Sequence, residues 1–239
     1  MAYLIQENSQ WRCAKTGMRA QGLPRHAATV FTAQIASPDF PCIMAQSALK
    51  QQTIACGVYH SMVSPACLDA LYQDLAQWLA QWQADPQQQM FRSFAALFAA
   101  DQPGCSERAH HQLWHALRSR EPQGRPAPDG TSDEVTDPHY AFALHGTAFF
   151  VVGLSPQSPR LARRTAYTGF VLNPHDQFEL LRARGQMACV QTATRRRDTA
   201  LQGDMNPLLA DHGAASAALQ YSAHPVSLAE LCPFATKKA

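Results

Sequence analysis

Charge is scarce in this chain. Asp, Glu, Lys and Arg make up 16% of its 239 residues and nearly cancel, leaving a formal +2. So mild a balance gives no phosphate-neutralising surface, and basic–aromatic interleaving is absent, so nucleic acid is not an expected partner. No uncharged apolar run approaches the roughly 20 residues that a membrane-spanning helix needs. The opening "MAYLIQENSQWRCAK" also lacks the apolar core of a signal peptide. The seven cysteines are scattered without a CxxC pair, which argues against a disulfide framework and against a structural zinc site. The GxxxxGKS/T phosphate loop, the GxGxxG turn, the GxSxG elbow and the HExxH zinc motif are all missing. A reducing cytoplasm is the expected setting.

What is present is apolar. Hydrophobic residues make up 46% of the chain, enough at this length for one sizeable core, so residues 1–239 are expected to form a single domain. "LDALYQDLAQWLAQWQAD" (Leu68–Asp85) places Leu68, Leu71, Tyr72, Leu75, Trp78, Leu79 and Trp82 on one helical face and ends before Pro86. Further helices are predicted over "QMFRSFAALFAAD" and "SERAHHQLWHALRSR". The stretch from about 121 to 137, rich in Pro, Gly and charge, reads as an exposed loop. It divides a helical first half from a more strand-like remainder. There "YAFAL" and "TAFFVVGL" read as two strands joined by a tight turn at His145-Gly146, with the run Ala148–Leu154 as a doubly covered strand. "TGFVL" reads as another strand, and "HDQFELLRARG" as a helix closed by Gly185. The fold class implied is α+β, a small, mostly antiparallel sheet covered by helices.

The candidates for chemistry are dispersed. His111 and His115 have the i,i+4 spacing of metal ligands, but no acidic third ligand stands near them and His110 beside them suggests a solvated face. His175 is better placed, at a strand-to-helix corner. There Asn173 would cap the helix and Pro174 would occupy its first position, leaving the imidazole on a rigid element where it could bind a metal or cofactor. Arg160, Arg163 and Arg164 follow the buried strand. If "RLARR" is helical, Arg160 and Arg164 could address one anionic group; otherwise they form a solvated basic turn. A second basic group, Arg195–Asp198, leads into a loop crowded with donors and acceptors, among them Gln202, Asp204, Asn206, Asp211 and His212. Two cysteines stand beside proline, Cys42 in "FPC" and Cys232 in "CPF". A Cys-Pro step can present a thiolate to haem iron, and either residue can equally be a small buried hydrophobe.

Taken in order, five blocks resemble the YqcI/YcgG family of bacterial proteins: "FPCIMAQSALKQQT" (Phe40–Thr53), "YAFALHGTAFFVVGLSPQSPRLARR" (Tyr140–Arg164), "FVLNPHDQFELLRARG" (Phe170–Gly185), "RRRDTALQGDMNPLLADHGAASAALQYS" (Arg195–Ser222) and "CPF" (Cys232–Phe234). Characterised members look like haem b enzymes that oxidise guanidine-type nitrogen, such as the arginine N-hydroxylase of D-cycloserine biosynthesis and the guanitoxin-pathway N-hydroxylase. The resemblance implies a haem-dependent N-oxygenase of specialised metabolism. Its substrate would be a small molecule with a guanidino, amidine or amino nitrogen, an arginine derivative or 2-aminoimidazole for instance, and it would draw on an external electron donor, or a redox partner, with O2 or peroxide. Under that reading His175 is the proximal iron ligand, with Asp176 or a backbone carbonyl steering its other ring nitrogen. Arg160, Arg163 and Arg164 pair with the haem propionates. Asp204 and Asp211 are the catalytic-site carboxylates that hold a forked cation, with Gln202 and Asn206 as neutral substrate contacts. Cys232 and Cys42 are rival cofactor ligands, and His145 and His212 further imidazole options.

Two departures bear on substrate. Where the family pattern reads GLHP or GMHP, this chain has "GLSP", with Ser155 in the histidine's place. The family's "SEARQYSGR" appears as "SAALQYSAH", which puts Ala217, Leu219 and His224 where a glutamate and two arginines would stand. A pocket altered in this way also suits a different function, a protein that binds or senses haem or a small ligand without turnover.

Overall fold

The runs "IACGVY" and "SFAALF" are buried at every position and form two strands, β3 (Ile54–Tyr59) and β4 (Ser93–Phe98). Strands covered on both faces read as unbroken apolar runs. These two lie parallel, with Ile54 opposite Ser93 and Tyr59 opposite Phe98. A parallel pair needs a crossover, supplied by α3 (Pro65–Gln83), whose Leu68, Leu71, Leu75, Trp78 and Leu79 are buried as their spacing predicts. The helix expected over "QMFRSFAALFAAD" is therefore β4. A short apolar run has no periodicity to separate strand from helix, and pairing with β3 decides it.

The computed structural model describes residues 1–83, 91–101, 113–207, 209–210 and 213–225. Within them the sheet has seven strands in the order β2-β1-β3-β4-β7-β6-β5, and every neighbouring pair except β3–β4 is antiparallel. This is a single α+β domain with a mostly antiparallel sheet, as expected, but the first half is not chiefly helical. It contributes four of the seven strands, because β1 (Ala2–Glu7) and β2 (Gln10–Cys13) form a hairpin. The turn is Asn8-Ser9, with φ of 51° and 61°, a positive-φ pair without the glycine that usually signals it. The expected hairpin of β5 (Phe142–Leu144) and β6 (Thr147–Leu154) is present, turning on His145 and Gly146 at φ 52° and 72°. The remaining strand is β7 (Thr168–Pro174).

Helices cover both faces. Phe94, Phe98, Phe149, Val151 and Phe170 face α3, α4 (helical over residues 113–118) and α7 (Ala218–Tyr221). Ala95, Leu97 and Leu154 face α1 (Gly22–Ala36) and α2 (Ile43–Lys50), with Leu181 of α5 (Asp176–Ala183) and Val190 of α6 (Met187–Gln202) packed into the same layer. The segment 121–137 carries no helix or strand, but it is not wholly exposed. Val135 is buried, and its carbonyl accepts the Ser216 hydroxyl at 2.6 Å. Among the described residues no helix is long and apolar enough to cross a membrane.

Candidate functional site

His175 stands at the corner where β7 becomes α5, and three neighbours hold that corner. Its backbone N–H donates to Ala148 O at 2.9 Å. Asn173 accepts the Ser93 hydroxyl at 2.7 Å and donates to Phe150 O at 3.2 Å. Gln177 brackets the Arg92 backbone, accepting from its N–H at 3.3 Å and donating to its carbonyl at 3.2 Å. The expected cap is thus misplaced by two residues. Asn173 and Pro174 belong to β7, Pro174 pairing with Phe149, and His175 itself occupies the cap position before Asp176. The ladder with β6 claims Asn173, so a start signal read from sequence became a strand end. Asp176 is engaged by Arg92 at 2.8 Å.

The half-buried imidazole lines a cavity of about 220 Å³. Phe178 and Arg182, three and seven residues further along α5, share its wall. From α6 come Met187, Val190, Gln191, Thr194 and Arg195, a stripe at i, i+3, i+4, i+7 and i+8. Rings continue the apolar side: His175 meets Phe178 edge-on with centroids 6.1 Å apart, Phe178 meets Phe150 at 6.1 Å, and Phe150 meets Tyr221 at 5.7 Å. Cys42, Tyr140 and Ala217 complete the wall. Cys42 caps α2, its Sγ accepting the Ala45 N–H at 3.4 Å. Burial pushes the thiol pKa up, against the opposing pull of two backbone N–H groups and Arg197.

Of the residues singled out in the sequence, His175 and Cys42 come together here. The three arginines do not join them. Arg160 pairs with Asp198 and Asp204, each at 2.5 Å, and so ties the turn after β6 to the end of α6. Arg163 is buried and donates to the carbonyls of Gln220 and Ser222; burial lowers its pKa to about 10. Arg164 donates to Ser158 O at 2.9 Å. The "RLARR" turn is a single 3-10 turn, Leu161–Arg163, too short to align Arg160 and Arg164 on one anion. Asp204 is largely exposed, and Gln202 is bonded to Leu161 N and Pro159 O. Asn206 is buried, but like these two it is not among the residues lining the His175 cavity. His145 is fixed in the β5–β6 turn, stacked on Tyr72 at 3.9 Å with Nε2 2.9 Å from the Tyr72 carbonyl. Asp211, His212, Cys232 and His111 lie outside the described residues.

The departures from the family pattern fall in different places. Ser155 is fully buried in the turn after β6, its hydroxyl accepting Gln157 N at 3.1 Å. Leu219 packs on the core. Ala217 lines the cavity, and with it the described walls hold two arginines and a histidine but no carboxylate. Arg182 pairs with Glu179. The sequence reading missed Arg182, Phe150, Tyr140 and the α6 stripe, although the spacing of that stripe is helical.

The residues suit haem in chemistry: an imidazole on a rigid corner, an apolar wall that excludes water, and guanidinium groups at the rim. Among the described residues no group of three or more His, Cys, Asp or Glu could hold a bare ion. The described walls enclose less than the roughly 300–1,000 Å³ of most ligand sites, and thus only part of the space a tetrapyrrole needs.

The family model of the YqcI/YcgG family matches residues 31–235, and the chain belongs to that family. No curated protein and no solved structure matches it.

Proposed function

From membership of the YqcI/YcgG family, we propose that the chain is a cytoplasmic haem-dependent N-oxygenase acting on a nitrogen of a small molecule. The observation that carries this is the placement of His175, half-buried at an over-determined corner and lining an apolar cavity. Bound haem would supply the oxygen chemistry, with electrons from an external donor and O2 or peroxide as oxidant. His175 holds the iron, and its backbone bond to Ala148 fixes where the ring stands. Phe150, Phe178 and Val190 would give the bound group an apolar wall. Arg182 and Arg195, rather than Arg160, Arg163 and Arg164, meet the propionates. Asp211 remains the carboxylate for a cationic substrate.

The test is spectroscopic and then chemical. Protein produced with ample haem should show a Soret band at one haem per chain, with the signature of an imidazole ligand, and His175→Ala should lose that signature. An unchanged spectrum and full haem content in the variant would sink the assignment of His175. Reductant, oxygen and candidate guanidines or amines should then yield an N-hydroxy product seen by mass.

A second reading, haem or small-ligand binding without turnover, draws support from Ala217 in the cavity wall, where the family pattern has a glutamate. Stoichiometric haem without product from any candidate would favour it.

A further inference from the structure

A second cavity, about 470 Å³, opens between α4 with the turn after it and the segment 121–135. That volume lies within the roughly 300–1,000 Å³ of small-molecule sites. The floor is aromatic: Trp114, Tyr140 and Phe142 line it, with Trp114 set edge-on to Phe142 at 5.0 Å. Two acids and two arginines stand around it, and they are not equivalent. Glu121 is fully engaged, accepting from the Tyr72 hydroxyl, the His145 N–H and Arg125. Arg118 and Asp133 meet only at 3.9 Å, and the arginine is the more buried, 34% exposed against 64%.

Tyr140 supplies the second, independent sign. It is 9% exposed, and its hydroxyl makes no hydrogen bond among the described residues. Tyr140 lines this cavity together with Arg118 and Asp133, and it also lines the His175 cavity, so it stands in the wall between the two. Two of the polar groups that line the second cavity, the Tyr140 O–H and the Arg118 guanidinium, offer hydrogens. They sit beside flat apolar rings.

We propose that this cavity binds a small molecule with a planar apolar ring and a carboxylate, the ring lying against Trp114 and Phe142 and the carboxylate taking hydrogens from Arg118 and Tyr140. The anion displaces Asp133 from its long contact, and Asp133 loses little because most of it is already in water. The site shares Tyr140 with the His175 cavity but no other lining residue, and it does not depend on any cofactor there.

The experiment uses benzoate as the probe and benzamide as its neutral counterpart, with tryptophan fluorescence as the readout because Trp114 lines the site. Benzoate should give saturable quenching with Kd on the order of 0.1–10 mM, as a ligand of so few atoms allows, and Trp114→Phe should remove the signal. Arg118→Gln should weaken binding roughly tenfold or more, Tyr140→Phe by a smaller factor, and benzamide should bind far more weakly than benzoate. The Tyr140 variant keeps the ring, and the Arg118 side chain is only partly buried, so either can decide the matter if the other fails to fold. Three results overturn the proposal: no saturable response from folded protein, equal binding of benzamide, or binding lost in Arg195→Gln and kept in Arg118→Gln. The last would place benzoate in the His175 cavity.

Discussion

Arg92 and Asp176 meet at 2.8 Å, and through them the start of β4 holds the first turn of α5. The pair is lopsided. The Arg92 side chain is 3% exposed and lies over the Trp82 ring, 2.7 Å from its centroid, while Asp176 is 45% exposed. Removing the carboxylate takes the counter-charge from a buried cation, whereas removing the cation leaves a carboxylate that water can reach. Asp176→Asn should therefore cost the more, about 2–3 kcal/mol, against about 1–2 for Arg92→Met. Urea midpoints of the two variants measure this, and the reverse order would show that burial of Arg92 does not govern the pair.

The segment that closes the His175 cavity rests on a glycine. A Cβ at Gly153 would come within 2.5 Å of Tyr221 O and 2.7 Å of Ala223 N. Gly153→Ala should cost about 1–3 kcal/mol through this overlap and speed amide exchange across residues 216–223. Unchanged exchange there would mean that α7 is not seated on β6.

Alkaline pH should loosen the fold through its buried tyrosines. Burial raises the pKa of Tyr140 to about 12 and pushes those of Tyr59 and Tyr221 up as well, with the Asp74 carboxylate adding to Tyr59. An unfolded tyrosine loses its proton near about pH 10, while these keep theirs when folded. Above that pH the native state binds more protons than the unfolded state, so stability falls as pH rises. The contribution is complete below about pH 10 and is lost as pH climbs towards the folded values. Unfolding free energies measured across this window should decline, and Tyr140→Phe should decline less steeply.

The two candidate iron ligands give opposite results on substitution. With His175 as ligand, Cys42→Ser keeps haem and the imidazole signature, while Arg182→Gln and Arg195→Gln lower haem retention several-fold. With Cys42 as ligand, the serine variant loses a thiolate-type Soret band. Absorption spectra of the purified variants separate these outcomes.

The sequence was most informative where a local signal and the tertiary contact agreed. The α3 stripe, the His145-Gly146 hairpin and the α5 helix stopping at Gly185 are in place. It misled where a partner strand decides. "SFAALF" is a strand because β3 and β7 flank it, and Asn173 leaves its cap because Ser93 and Phe150 take its side chain. The arginines of "RLARR" resembled an anion site because their acceptors, Asp198, Asp204 and the α7 carbonyls, lie some 40 to 60 positions further along the chain. The cavity wall draws on six separate segments, and no window of sequence brings Cys42 and His175 to one cavity.

The ends of the sheet have a consequence for how copies of this chain can meet. β2 is four residues long, and the backbone turns back on its outer side: Ala20 N–H donates to Trp11 O, and Cys13 N–H to Met18 O, each at 2.8–2.9 Å. β5 is three residues long, and the Phe142 N–H is directed to the Tyr221 hydroxyl at 3.4 Å. Strand addition needs a row of open donors and acceptors, and neither edge presents one. Among the described residues, then, sheet extension at either end would first have to displace these bonds.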